Sequence, residues 1–109
     1  MEIISLHKAH DLGYEPAKYL KIGRQGLYPV KLDFITSGET SDTITCHFTI
    51  ITNNRKIKLE ALQNTRWDDF FSSSDNSINF LAEKPNSAFI IHLVETQDGL
   101  LNWTKTTRI

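Results

Sequence analysis

Residues 43–62 constrain the fold more than any other stretch of this chain. Ile44, Cys46, Phe48 and Ile50 alternate with Thr43, Thr45, His47 and Thr49. After Asn53-Asn54 the alternation resumes with Ile57, Leu59 and Ala61. Successive side chains of a strand point to opposite faces, so each set lines one face of a strand. Asn tolerates the positive φ that tight turns demand, which makes Asn53-Asn54 the predicted turn. The segment therefore reads as a long antiparallel hairpin with one greasy face and one threonine-rich face. The same alternation sends Cys46 and His47 to opposite faces, so they form no thiol–imidazole dyad. Cys46 reads as a buried, inert thiol. His47 shares its face with the threonines.

The remaining pattern extends this β reading. Val30, Leu32 and Phe34 alternate with Lys31 and Asp33, giving a strand over residues 27–36. Pro29 near its start marks an edge or a strand beginning, because proline cannot donate to a ladder. Residues 88–96 are apolar on both faces apart from His92, as a central strand would be. Gln97-Asp98-Gly99 is a hairpin signal, and residues 100–106 return as the last strand. Residues 2–6 and 77–81 are candidate short strands. Pro16 at a first helical position and Gly23 as a stop suggest a short helix over residues 17–22. Gly23-Arg24-Gln25-Gly26 leads into a strand-like run and reads as a turn. Thr65 and Asp68 have capping-box spacing, and Trp67, Phe70 and Phe71 fall at helical spacing, so a helix is predicted over residues 65–71.

The expected class is mainly β: a small antiparallel barrel or curled sheet, of OB-like order β-β-β-α-β-β, with one or two short helices. A two-layer β-sandwich is the competing architecture. The 109 residues suit one domain, and no internal repeat or linker interrupts them. A single cysteine excludes an intramolecular disulfide and suits a reducing compartment. The N-terminus lacks the basic and apolar regions of a signal peptide, and no apolar run approaches membrane-spanning length. The cytoplasm is the expected location.

Chemistry is sparsely signalled. There is no Gly-rich phosphate loop before a helix, no HExxH, no CxxC and no G-x-S-x-G, so no enzyme is expected. His7, His10 and Asp11 fall short of a tetrahedral ligand set, and no metal or cofactor is expected. His47 and His92 could serve a small enzyme or ligand-binding barrel if the sheet brought them beside Asp68 or Asp69.

The leading expectation is a non-enzymatic module that binds another macromolecule, most plainly a protein, as inhibitor, adaptor or assembly accessory. Trp67, Asp68, Asp69 and Phe70 form the most partner-like short segment, with Tyr28 on a strand whose edge could pair with a partner. The alternative is an OB-like module for single-stranded nucleic acid. Tyr14, Tyr19, Tyr28 and Trp103 would be its stacking platforms, and Lys18, Lys21, Arg24, Lys31, Lys105 and Arg108 its phosphate contacts. A net charge of −1, from 12 basic and 13 acidic residues, argues against strong non-specific binding of this kind.

Overall fold

A computed structural model describes residues 3–4, 13–16, 25–38, 40, 42–64, 69–71, 77–97, 99 and 101–109. Its strands are β1 (Ile3–Ile4), β2 (Glu15–Pro16), β3 (Gly26–Ser37), β4 (Thr43–Ile50), β5 (Lys56–Asn64), β6 (Asp69–Phe71), β7 (Ser77–Ile78), β8 (Ala88–Glu95) and β9 (Leu101–Arg108). Five long strands form an antiparallel sheet in the order β5-β4-β3-β8-β9. The short β6 and β7 continue it beyond β5, while β1 and β2 add parallel to β3 and β5. All the described strands belong to this one sheet. No ladder among them joins its two ends, so the expected barrel is not closed.

The β4–β5 hairpin forms as its alternation requires, with Cys46 opposite Leu59 and Phe48 opposite Ile57. The turn is wider than two residues: Ile50 N–H donates to the Arg55 carbonyl across it. Asn54 takes the positive φ of 58°, and the Asn53 side chain accepts from Arg55 N–H. At the second hairpin Gly99 adopts φ 78° between β8 and β9.

Pro29 does not mark an edge strand. β3 lies between β4 and β8, with Pro29 opposite Ile90. The Pro29 carbonyl accepts from Ile51 N–H, one residue beyond the end of β4. The backbone groups of one residue in an antiparallel strand face the same neighbour, so the missing N–H also faces the point where β4 leaves the sheet. β3 ladders with β8 over Gly26–Lys31 and with β4 from Val30 onward, so Pro29 sits in the stretch whose β4 side carries no ladder.

Two bulges reset which side chains meet. Leu32 pairs with Phe48 and Phe34 with His47, leaving Asp33 as the extra residue of β3. Val30, Leu32 and Ile35 thus enter the core, while Phe34 turns to the other face, against the simple alternation. On β9, His92 pairs with Lys105 and Leu93 with Trp103, leaving Thr104 as the extra residue. Trp103 and Thr106 both point inward as a result, and Lys105 turns outward.

The core lies on one face of the curled sheet. Phe48 at its centre meets Phe80, Phe89 and Trp103 edge-on, with centroids 6.4, 6.5 and 5.8 Å away. Phe80 sits in a short 3-10 turn (Phe80–Ala82) capped by Asn79, whose side chain accepts from Leu81 N–H. This turn places Phe80 in the core on that face. The helix expected over residues 65–71 is not present at its C-terminal end. Asp69–Phe71 is β6, paired with both β5 and β7. A helix under two turns gains little by itself, and aromatic residues take a pleated surface readily, so sheet pairing wins. The short helix expected over residues 17–22 lies outside the described residues.

Candidate functional site

The outer face of the sheet, opposite the core, divides into a covered half and an open half. Threonine is an ordinary solvent-facing strand residue, yet all eight residues of β4 are buried, Thr45, His47 and Thr49 among them. The cover is aromatic. Phe34, turned outward by the Asp33 bulge, stacks on the His47 ring with centroids 4.2 Å apart. Tyr14 stands edge-on to both rings, at 5.2 Å from Phe34 and 4.9 Å from His47. β2 places Tyr14 there: Glu15 and Pro16 pair with Ile57 and Lys58 of β5, and Glu15 bridges to Arg55 at 3.2 Å.

Asp33 ties this cover to the sheet. One carboxylate oxygen accepts from the Tyr14 hydroxyl at 2.7 Å and from Thr49 Oγ1 at 2.5 Å. Burial, then the hydrogen bond to Asp33 and its charge, push the Tyr14 phenol well above its usual range, so the hydroxyl stays a donor. His47 is 1% exposed, and its Nδ1 has no hydrogen-bond partner. Thr36 Oγ1 is the other buried polar side-chain atom in that condition. Burial, with the Lys58 charge adding to it, pushes the His47 imidazole down to about 4; the backbone of Thr45 and Phe34 and the Asp33 carboxylate pull the other way. The imidazole is therefore neutral at physiological pH. On the core side, burial pushes the Cys46 thiol up, which makes it inert.

The open half lies over the N-terminal part of β3, over β8 and over β9. Three cross-strand rows build it. Ile51, Pro29, Ile90 and Thr107 form the first; Leu27, His92 and Lys105 the second; Val94 and Asn102 the third. Directly opposed residues share a face, so each row presents its side chains together. Leu27 is 63% exposed, Ile51 48% and Val94 45%. Lys31 and Lys105 stand exposed at the margins, and neither has an ion-pair partner among the described residues.

The sequence had marked this region only through Lys31, Lys105 and His92. Its aliphatic members carried a readable signal. Ile50-Ile51 and Phe89-Ile90-Ile91 are consecutive apolar residues on strands, so some must face away from the core. That pattern on β8 was read as burial on both faces. β8 does lie between two strands, and its outer face is the partly open one.

Other expected site residues fall elsewhere. Trp67, Asp68, Lys18, Lys21, Arg24, Tyr19 and the His7-His10-Asp11 group lie outside the described residues. Asp69 and Phe70 belong to β6. Tyr28 is half-buried and packs against the core. Trp103 is 5% exposed, with its ring in the core and its Nε1 donating to Thr106 Oγ1 at 2.8 Å. Arg108 pairs with Glu83, a contact that raises its pKa further, and lies over the Phe89 ring.

His47 and His92 do not share a site. Their β3 neighbours are Phe34 and Leu27, about 20 Å apart at ~3.3 Å per strand residue. Among the described residues no group of three or more His, Cys, Asp or Glu side chains is placed to hold a metal. No helix among them is long and apolar enough to cross a membrane. No protein-family model, no curated protein and no solved structure matches the chain.

Proposed function

We propose that this chain is a non-enzymatic binding module that engages another protein through the open outer half of its sheet, as an inhibitor, adaptor or assembly accessory. The observation that carries this reading is the contiguous aliphatic surface of Leu27, Pro29, Ile51, Ile90 and Val94. A solvent-exposed apolar patch on a small domain is unfavourable unless something covers it in use, and such patches mark interaction surfaces. The aromatic cover over His47 supports the same reading by contrast: where the outer face is closed, rings and hydrogen bonds close it. The work belongs, on this reading, in the cytoplasm, where a lone thiol stays reduced.

Lys31 and Lys105 favour the second reading, an OB-like module for single-stranded nucleic acid. It requires a set of rings on which successive bases can stack, and the three rows of the open half offer only the His92 imidazole, with no Phe, Tyr or Trp.

The test is affinity capture from native lysate with the wild-type chain, with a Leu27→Asp/Val94→Asp double variant, and with a Leu62→Asp control on exposed β5. Circular dichroism confirms folding of each. A stoichiometric protein partner lost only by the double variant is the expected result. A partner retained by the folded double variant overturns the assignment. Capture of single-stranded nucleic acid in place of protein selects the second reading.

A further inference from the structure

The charges around the open half specify the partner's chemistry more narrowly than its apolar content does. This inference rests on the docking reading above. Among the described residues, the charged side chain on the three rows, Lys105, is basic, and so is Lys31 beside the first row. Lys31 follows Pro29 on β3, and Lys105 faces His92 across the β8–β9 ladder. The nearest carboxylate along β3 is Asp33, already engaged by Tyr14 and Thr49. Glu95 lies at the end of β8, with the parity of the core-facing residues Phe89, Ile91 and Leu93.

The spacing of the two lysines is informative. β3 and β9 are two strands apart, about 10 Å across the sheet. Lys31 lies opposite Ala88, and Lys105 opposite His92, four residues further along β8. Four residues span about 13 Å, so the two Cα atoms are about 16 Å apart on the diagonal. Ile90 lies between them. In an extended segment, residues i, i+2 and i+4 share one face and span about the same 13 Å. Flexible lysine and glutamate side chains cover the small remainder.

We infer that the open half of the outer face accepts an extended acidic segment of a partner protein, with two carboxylates four residues apart and an aliphatic residue midway between them. The aliphatic residue packs on Ile90 with Pro29 and Leu27 beside it, and the carboxylates meet Lys31 and Lys105. The covered half could not serve this purpose, because Tyr14 and Phe34 occupy it.

The test uses three synthetic peptides with the full chain: one carrying Glu-x-Leu-x-Glu, one carrying Lys-x-Leu-x-Lys and one carrying Glu-x-Ser-x-Glu, with x small and polar. Binding is read by fluorescence anisotropy at low and high salt, and its location by NMR shifts. The Glu-x-Leu-x-Glu peptide should bind tightest and shift Leu27, Lys31, Ile90 and His92. The lysine peptide should bind at least about fivefold more weakly, the size of a modest surface ion-pair effect, and Lys105→Glu, which leaves Lys31 in place, should remove that preference. Equal binding of all three peptides, shifts confined to β5 or to the 3-10 turn, or an unchanged preference in Lys105→Glu overturns the inference. Tighter binding of a single-stranded oligonucleotide or of phosphatidylserine vesicles at the same residues also overturns it, in favour of those ligands. The captured natural partner separates this claim from the one beneath it. A partner lost by Leu27→Asp/Val94→Asp but held by Lys31→Glu/Lys105→Glu leaves the docking reading standing and removes only the acidic segment.

Discussion

Acid should weaken this fold through His47, by an amount the structure sets. The imidazole is buried between Phe34 and Tyr14, its Nδ1 has no acceptor, and its pKa falls from 6.5 to about 4. In the unfolded chain the group takes a proton as pH drops through 6.5; in the fold it does not until about 4. Between those values the unfolded state binds more protons, so stability rises with pH and is lost as pH falls. Each pKa unit corresponds to ~1.4 kcal/mol, which makes the loss about 2–3 kcal/mol between pH 6.5 and 4.5. That is a large part of the stability of a small domain. The assay is urea denaturation of wild type and His47→Gln at pH 7, 6, 5 and 4.5. Carboxyl groups elsewhere titrate in both proteins and cancel in the difference. The stability difference between wild type and variant should shift by about 2–3 kcal/mol against wild type over that interval. A difference that stays constant with pH would refute the argument, and so would an NMR titration placing His47 near 6.5. Lys58→Met removes the neighbouring positive charge and should move the His47 midpoint upward.

Three further outcomes follow from the packing. Tyr14→Phe removes the hydroxyl that donates to Asp33 and should cost about 1–2 kcal/mol in urea denaturation, with Tyr14's edge-on ring contacts kept. Phe80→Ala empties the centre of the concave side and should cost about 3–5 kcal/mol, enough to bring the thermal midpoint down sharply in a calorimetric scan. A Cβ at Gly38 would lie 2.8 Å from the Thr43 backbone carbon, so Gly38→Ala should cost about 1–3 kcal/mol and speed amide exchange in the β3–β4 turn.

How far these features could be read from the sequence varied with the interaction that decides them. The β4–β5 hairpin and the opposite facing of Cys46 and His47 follow from period-two alternation, and the interior place of β8 from an apolar run on both faces, both local signals. The Asp33 bulge does not. One extra residue sends Phe34 away from the core and admits Ile35, and nothing in Val-Lys-Leu-Asp-Phe-Ile announces it. The burial of Thr45, His47 and Thr49 depends on Tyr14, some thirty residues earlier, folding back through a two-residue parallel strand. Pro29 misled because proline's missing donor constrains one side of a strand at one residue, and β4 happens to end there. The helix expected over residues 65–71 rested on a spacing that aromatic strand residues can also show. The open face had a signal in the consecutive apolar residues Ile50-Ile51 and Phe89-Ile90-Ile91, but burial on both faces and exposure of one leave the same pattern.

On the proposed reading Leu27, Ile90 and Val94 form the working surface, and the Tyr14-covered half is structural. Photocrosslinking from single positions tests it most directly, with p-benzoylphenylalanine placed in turn at Leu27, Val94, Glu60 and Lys84 and each protein incubated in native lysate. One discrete protein adduct is expected from Leu27 and Val94, and none from Glu60 or Lys84. Adducts from Glu60 or Lys84 with none from Leu27 and Val94 would contradict it.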